Sequence, residues 1–224
     1  MELLLDTANL EQLEIGLKEY PIVGFTTNPT ILVNEHKDVK ELLDDLYALK
    51  LKYDCLMFVQ VTSLTYEEML KDAIAIVNRY DGVVVKVPCS VDGVKVMKKL
   101  SEAGVIVCAT SIHTELQVQM AMNAGATYIA PYVNHIANNQ KDVYTTLCNM
   151  QRIVEQSNRD VCLLGASLKN NAQVLDCALA NIGAITFTFD GLIRMIEHDS
   201  TKASIEKFDK TWKEHVGSSL SELL

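Results

Sequence analysis

Short apolar runs recur along the whole chain, separated by stretches in which apolar residues have helical spacing. The runs are rich in Val, Ile and Leu, and most are continuous. Continuous runs of this length are typical of strands buried on both faces, as in parallel sheets. Eight strands are predicted, at residues 3–5, 22–25, 56–61, 83–87, 105–109, 127–130, 161–165 and 184–189.

Helix signals fill the intervals between these strands. Residues 9–20 carry leucines at helical spacing before Pro21, and residues 65–68 (TYEE) read as a capping box at the start of a helix. Residues 138–155 form another helical pattern. Predicted N-caps are Ser90, Ser111 and Asn170, and predicted helix ends lie at Gly104, Gly125 and Gly183.

The alternation amounts to about eight βα units without a compositional break, which predicts a single domain over residues 1–224. Eight-fold alternation favours an α/β fold of the closed (β/α)8 TIM barrel type. An open doubly wound sheet is the alternative. Two absences argue against it, since no G-x-G-x-x-G follows the first strand and no Walker-type phosphate loop is found.

Residues 200–224 lie beyond the eighth unit and predict a C-terminal helical extension. Within this segment Ile205, Phe208 and Trp212 fall on one face of a helix. From the pattern alone, that face packs either on the chain's own barrel or on a neighbouring subunit.

The net charge of −9 argues against nucleic acid or an anionic membrane as partner, because both require a basic footprint. No apolar stretch reaches the roughly 18 residues of a membrane span, and the N-terminal MELLLDTANL does not resemble a signal peptide. We therefore expect a cytoplasmic protein. Its six cysteines show no metal or redox spacing and are expected to be reduced core thiols, with Cys89 considered as a reactive thiol.

Polar residues mark the carboxyl ends of the predicted strands, where the chemistry of a (β/α)8 barrel collects. Gln60 and Lys86 are the most informative, since both fall inside otherwise apolar strands. The full set at this rim is Asp6, Thr27, Asn28, Gln60, Lys86, Thr110, Tyr132, Ser167 and Lys169.

Lys86 lies in the run GVVVKVPCS, where the strand pattern asks for an apolar side chain. A barrel strand directs its side chains either into the interior or under the helices, and both environments are largely dry. Burial disfavours an ammonium group, and a neutral amine is a nucleophile toward carbonyl carbons. Lys86 is therefore predicted to form a Schiff base. The alternative is a structural ion pair with a carboxylate such as Asp6.

Five segments together form a specific signature: LDTAN at 5–9, GFTTNPT at 24–30, VVVKVP at 83–88, APYVNHI at 130–136 and GASLKN at 165–170. With them the chain resembles the transaldolase family, and most closely its short members, the fructose-6-phosphate aldolases. The resemblance implies a (β/α)8 barrel and class I aldol chemistry on a small sugar, without metal or cofactor. It also implies a ring-shaped homo-oligomer, a pentamer or decamer, in which the C-terminal helix reaches a neighbour.

The same resemblance implies roles for individual residues. Lys86 matches the Schiff-base lysine, and Asp6 the carboxylate that handles the proton of the C4 hydroxyl. Thr110 matches the threonine that positions a catalytic water. The substrate-binding candidates are Asn28, which holds the dihydroxyacetone hydroxyls, together with Thr27, Ser167, Lys169 and His135.

Gln60 and Tyr132 favour the aldolase subtype, because transaldolases proper usually carry glutamate and phenylalanine at these positions. A tyrosine hydroxyl, with a water held by Gln60 and Thr110, can protonate the enamine on Lys86 and admit hydrolysis. That step releases free dihydroxyacetone.

His135 stands where family members usually have an arginine that holds the sugar phosphate. A histidine cannot form the bidentate fork of a guanidinium. Lys169 and the N-terminus of the helix after Asn170 remain as anion ligands. The difference allows an unphosphorylated or sulfonated sugar.

The expected function is a class I (Schiff-base) aldolase that cleaves or forms a ketose phosphate such as fructose 6-phosphate through a dihydroxyacetone-lysine enamine. One alternative is a transaldolase that transfers dihydroxyacetone from a ketose phosphate or a modified ketose. A rival of another kind is a sugar-binding barrel without catalysis. The presence of Asp6, Asn28, Lys86, Thr110 and Ser167 argues against it.

Overall fold

Eight parallel strands pair in chain order and close into a barrel in the computed structural model, which describes residues 1–139 and 142–224. The predicted (β/α)8 barrel is confirmed. The strands are β1 (Glu2–Asp6), β2 (Gly24–Thr26), β3 (Leu56–Gln60), β4 (Val84–Pro88), β5 (Val107–Ile112), β6 (Tyr128–Pro131), β7 (Cys162–Gly165) and β8 (Ala184–Phe187).

At least one helix follows every strand. The helices of the described residues are α1 (Leu10–Glu19), α2 (Pro29–Asn34), α3 (Val39–Tyr53), α4 (Tyr66–Arg79), α5 (Val91–Glu102), α6 (Glu115–Asn123), α7 (Val133–Asn138), α8 (Val143–Gln156), α9 (Asn171–Leu179), α10 (Phe189–Ile196), α11 (Asp199–His215) and α12 (Leu220–Leu223). The predicted helix over 138–155 corresponds to α8, which begins at Val143. Residues 140 and 141 of the predicted range lie outside the described residues.

Most of the predicted helix starts are confirmed. Ser90 and Asn170 are the N-caps of α5 and α9. Thr65 caps α4 through the amide of Glu68, but its hydroxyl donates to the Glu68 carboxylate at 2.9 Å in place of the reciprocal bond of a capping box. The prediction for Ser111 is wrong, because α6 is capped by Thr114.

Ser111 lies inside β5, where the pairing with β6 shifts register. Its φ of 57° is in the left-handed region, which a non-glycine residue rarely adopts. Register shifts of this kind bend a strand and re-aim its side chains, and they are common beside functional sites. The irregularity follows directly after Thr110, at the rim of the barrel.

Alternation along the strands divides the barrel interior into an apolar layer and a polar layer. Side chains two residues apart on a strand point to the same face. Polar residues follow the apolar layer at this spacing, with Asp6, Gln60 and Lys86 two positions after Leu4, Phe58 and Val84. The apolar layer consists of Leu4, Phe58, Val84, Cys108, Ala130, Leu164, Ala166 and Ala184.

The end of β4 is held against the first turn of α5 by a close backbone approach. A Cβ on Gly93 would lie 1.9 Å from the carbonyl oxygen of Pro88, so only glycine permits this packing. Ser90 accepts a hydrogen bond from the Gly93 amide at 3.0 Å. This junction fixes the strand end two residues after Lys86.

The chain divides into two compact units, Met1–Phe189 and Asp190–Leu224. The first contains all eight strands. The second contains α11, the predicted C-terminal helix, and no residue of that helix is buried. The single-domain prediction over residues 1–224 stays a prediction. No helix among residues 1–139 and 142–224 combines the length and apolar character needed to cross a membrane.

The six cysteines are free thiols. Burial raises the pKa of Cys108 and Cys177 to about 12 and that of Cys55 and Cys162 to about 11. Burial also raises the pKa of Cys89. Because the thiolate is the reactive form, a nucleophilic role for Cys89 is not favoured.

Candidate active site

A cavity of about 270 Å³ opens at the carboxyl end of the barrel strands. This volume is at the small end of ligand pockets and suits a sugar-sized molecule. The predicted residues that line it are Asp6, Asn28, Lys86, Tyr132, Ser167 and Lys169. The lining also includes Thr30, Ile31, Ala166, Thr186 and Thr188, which the sequence interpretation did not single out.

Lys86 is 6% exposed and reaches the cavity from β4. Its side-chain nitrogen Nζ donates to the carbonyl oxygen of Thr27 at 2.7 Å. The ion pair with Asp6, considered above as a structural role for this lysine, does not form within 4.0 Å in the described part of the chain. The hydrogen-bond partner of Lys86 is therefore a neutral backbone carbonyl.

Asp6 ends β1 and is half-buried at the cavity. The hydroxyl of Thr26 on β2 donates to Asp6 Oδ1 at 2.6 Å. A second hydroxyl, that of Thr186 on β8, lies 2.7 Å from the Thr26 oxygen. Three adjacent strands thus supply a connected chain of polar groups that ends at the carboxylate.

Of the residues predicted to handle the enamine, Tyr132 lines the cavity, whereas Thr110 and Gln60 are not part of the lining among the described residues. Thr110 is fully buried, and its hydroxyl donates to the Tyr132 hydroxyl at 3.3 Å. Gln60 is the direct partner of Lys86 in the β3–β4 register. Its side-chain oxygen Oε1 is buried and has no hydrogen-bond partner among the described residues. An unpaired buried acceptor of this kind can bind an ordered water.

Asn28 and Thr27 follow β2 but have different surroundings. Asn28 Oδ1 caps α2 by accepting from the Ile31 amide at 3.0 Å, which fixes the side chain at the cavity. The Thr27 side chain is fully buried, and its hydroxyl donates to the Phe58 carbonyl at 2.8 Å. Among the described residues the cavity lining does not include Thr27, which acts on the site through the carbonyl that holds Lys86.

Ser167 follows β7 with a φ of 60°, in the left-handed region. Such strain in a non-glycine residue is often retained at a functional site, because the surrounding structure enforces it. The residue before it, Ala166, forms a bridge with Tyr132, which ties the ends of β6 and β7 together. Ser167 thereby lines the cavity at a fixed position.

His135 and Lys169 are exposed at the rim. His135 stacks on His113 with ring centroids 5.5 Å apart and an interplanar angle of 24°. Both imidazoles meet the ring of Tyr132 edge to face, at 5.4 Å for His135 and 5.6 Å for His113. Lys169 lines the cavity, and its backbone amide donates to Gln173 Oε1 at 2.7 Å.

Thr26, Thr186 and His113 belong to the site but were missed from the sequence. Thr186 interrupts the apolar run of β8, which is the same signal that revealed Gln60 and Lys86. Thr26 lies two residues after Gly24 on the inward face of β2. His113 comes just after β5, and only the fold brings it beside His135.

No group of three or more His, Cys, Asp or Glu side chains within residues 1–139 and 142–224 could hold a metal ion.

A sequence model of the transaldolase/fructose-6-phosphate aldolase family matches residues 3–222. The chain belongs to this family. The transaldolase resemblance of the five sequence segments is thereby confirmed, and the length of 224 residues fits the short, fructose-6-phosphate aldolase-like members. Members of the family are enzymes, and transaldolase or aldolase activity in general is what membership supports.

Proposed function

We propose that the protein is a class I aldolase that cleaves or forms a ketose phosphate such as fructose 6-phosphate through a Schiff base on Lys86. The observation that carries the proposal is the environment of Lys86. Its side chain is buried at a sugar-sized cavity and donates to a backbone carbonyl, without a carboxylate within 4.0 Å among the described residues. A neutral lysine amine placed at such a cavity is a nucleophile toward the carbonyl carbon of a bound sugar.

The first half of the reaction forms and uses the iminium. Lys86 Nζ attacks C2 of the ketose, and loss of water gives the iminium. Asp6 then takes the proton of the C4 hydroxyl, the C3–C4 bond breaks, and its electron pair passes into the iminium to give an enamine. The aldehyde fragment leaves. Asp6 is suited to this role because it lies at the same cavity and its Oδ1 is fixed by Thr26.

The second half returns the enzyme to its free state. The enamine carbon C3 takes a proton from Tyr132 or from a water in contact with it, and a water molecule then hydrolyses the iminium to dihydroxyacetone and free Lys86. The bond between Thr110 and Tyr132 and the unpaired Gln60 oxygen beside Lys86 support this arrangement. Asn28 and Ser167 hold the three-carbon unit, since orientation supplies much of the rate.

The anionic end of a ketose phosphate has cationic candidates at the rim. Lys169 lines the cavity, and α9 begins with its N-cap at Asn170, one residue later. His135 lies beside Tyr132 at the same rim. A lysine and a helix N-terminus are a common combination for binding phosphate, although neither supplies the bidentate fork of an arginine.

The proposal is tested by incubating the protein with fructose 6-phosphate, reducing with borohydride and measuring the intact mass. We expect a dihydroxyacetone-sized adduct on one residue, and peptide mapping should locate it at Lys86. A protein that cleaves the sugar but never forms a reducible adduct would contradict the Schiff base. The aldolase proposal as a whole would be contradicted if the protein neither cleaved fructose 6-phosphate nor formed an adduct, either with that sugar or with free dihydroxyacetone.

A second candidate is a transaldolase that transfers dihydroxyacetone from a ketose phosphate or from a modified ketose. His135 favours a modified sugar, because it replaces the guanidinium fork that usually holds the phosphate. The two activities differ in the fate of the enamine. Free dihydroxyacetone in a reaction without acceptor aldehyde supports the aldolase, whereas product formation that depends on an acceptor supports the transferase.

We also propose that the chain assembles as a homo-oligomer, a pentamer or decamer, with a second copy of the chain covering the apolar face of α11. Within the C-terminal unit none of the residues of α11 is buried, and Ile205, Phe208 and Trp212 are 61%, 69% and 40% exposed. A helix with such an apolar face gains stability mainly by packing it, and aligned aromatic side chains are typical of interfaces.

Phe208→Glu is expected to shift the protein from the oligomer to smaller species, because it puts a charge into the proposed contact. Size-exclusion chromatography with light scattering measures the mass. Lys207→Glu, one residue earlier and also exposed, is the matched charge control and should keep the native mass. A native protein that is monomeric at micromolar concentration would rule the assembly out.

A further inference from the structure

Two buried threonine hydroxyls form a hydrogen-bonded chain to the carboxylate of Asp6, and the second of them, Thr186, also lines the cavity. Thr26 is fully buried and Thr186 is 3% exposed. They come from the strands on either side of β1: the register pairs Asp6 with Thr26 on β2 and Leu4 with Thr186 on β8. The distances are 2.6 Å from Thr26 Oγ1 to Asp6 Oδ1 and 2.7 Å from Thr26 Oγ1 to Thr186 Oγ1.

The direction of these hydrogen bonds follows from the number of protons available. A carboxylate only accepts, so the single proton of the Thr26 hydroxyl is donated to Asp6. Thr26 has then no proton left for Thr186. The bond between the two threonines must therefore run from the Thr186 hydroxyl to the Thr26 oxygen, and Thr186 is the donor at the head of the chain.

Because of this direction, Thr186 influences the hydrogen bond that Thr26 donates to Asp6. A hydroxyl that accepts a hydrogen bond donates a stronger one, because the chain polarises each member in turn. Thr186 thus strengthens the bond from Thr26 to Asp6 and restricts the rotation of the Thr26 hydroxyl. The bond occupies Oδ1 of Asp6 and leaves Oδ2 to receive a proton from a ligand in the cavity.

We propose that Thr186 is a positioning residue for carbon–carbon bond cleavage, acting on Asp6 through Thr26. The inference rests on the proposed aldolase function, in which Asp6 takes the proton of the C4 hydroxyl. Thr186 and Thr26 keep Oδ2 of Asp6 facing the C4 hydroxyl. The carboxylate keeps this orientation during the proton transfer. Because the proton goes to Oδ2, the two threonine hydrogen bonds need not change during the step.

The inference predicts that Thr186 affects cleavage and not formation of the Schiff base. Lys86 forms the iminium before Asp6 acts, so a variant at Thr186 should form the reducible adduct with dihydroxyacetone at the native rate. Cleavage of the ketose depends on the orientation of Asp6, and a loosened catalytic group typically costs at least about tenfold in rate. A residue that only stabilised the fold would not separate these two steps.

The test compares Thr186→Val, which keeps the shape and removes the hydroxyl, with Thr186→Ser, which keeps the hydroxyl. We expect kcat for cleavage to fall about tenfold in the valine variant, with little change in KM, and to recover to within about twofold in the serine variant. Thr146→Val is the control for removing a buried threonine hydroxyl, since Thr146 lies on α8 and bonds the carbonyl of Asp142. Its kcat should stay native.

A double-mutant cycle separates action through Thr26 from a direct role. Thr26→Val should lower kcat further than Thr186→Val, and adding Thr186→Val to it should cause no additional loss, because the chain is already broken. The cycle also guards against a loss of stability in one valine variant. The effect of Thr186→Val is then measured between two proteins that both carry Thr26→Val.

Several outcomes would overturn the inference. These are native kcat in Thr186→Val, equal loss in Thr186→Ser and Thr186→Val, a loss confined to KM, and full additivity with Thr26→Val. Failure of the proposed function looks different. In that case the native protein itself shows neither adduct nor cleavage, and the role of Thr186 falls with it.

Discussion

Lys86→Met is expected to abolish ketose cleavage, lowering kcat by at least about a thousandfold, because in the proposed mechanism the Lys86 amine forms the iminium that accepts the electrons of the broken bond. Methionine is similar in length and apolar, so it suits a position that is 6% exposed. The substitution removes one hydrogen bond, to the Thr27 carbonyl, which costs about 1–3 kcal/mol when the buried partner is left unpaired. The fold should survive that loss.

The measurement is aldehyde release from fructose 6-phosphate, together with borohydride trapping and a thermal melt followed by circular dichroism. Lys99→Met is the matched control, since Lys99 is an exposed lysine on α5 and should give native rates. Retained cleavage by folded Lys86→Met would refute the mechanism. Loss of activity with a collapsed melting curve would instead show that Lys86 is needed for folding.

Asp6→Asn is expected to separate the two halves of the reaction. The amide oxygen of asparagine can still accept from Thr26 in place of Oδ1, so the polar chain behind it is kept. The amide NH2 that replaces Oδ2 cannot take a proton. Cleavage should therefore fall by about 10²–10⁴-fold, the usual contribution of a general base, while Lys86 still forms the reducible adduct with dihydroxyacetone.

Steady-state cleavage and the mass of the trapped adduct are measured on the same preparation. Asp160→Asn removes an exposed carboxylate and serves as the charge-matched control. If Asp6→Asn loses trapping as completely as cleavage, Asp6 is needed for the lysine to react and the assignment as base for the C4 hydroxyl is wrong. If cleavage is unchanged, another group takes that proton.

The barrel could be predicted because its strands are buried on both faces. Continuous apolar runs between helical patterns fixed the number and order of the strands, and all eight were confirmed within a few residues. Gln60 and Lys86 could also be predicted as site residues, since neither an amide nor an amine suits a strand buried on both faces.

Threonine gives a weaker signal, which is why Thr26 and Thr186 were missed. Its β-branched side chain is common in strands, and a single hydroxyl is easily satisfied by a nearby backbone carbonyl. Only the closed barrel shows that the two residues flank β1 and belong to one hydrogen-bonded chain that ends at Asp6.

Long-range geometry explains the other differences. The predicted cap Ser111 lies within β5, and the register shift that places it there depends on the pairing of β5 with β6, which the sequence does not show. The stacking of His113 on His135 joins residues from two different loops. The side chain of Thr27 was expected at the substrate, but its neighbour Asn28 occupies the cavity because adjacent residues point in different directions.

The two layers of the barrel interior differ in how much a substitution costs in stability. Packing density is set by the apolar layer, in which a cavity or an oversized side chain costs stability directly. Two residues after members of that layer, Asp6, Lys86 and Tyr132 line the cavity, where open space adjoins the side chains. An exchange at Tyr132 can therefore change the chemistry of the cavity without replacing a member of the apolar layer. We therefore expect substitutions at the cavity to change activity more than stability, and substitutions in the apolar layer to do the reverse.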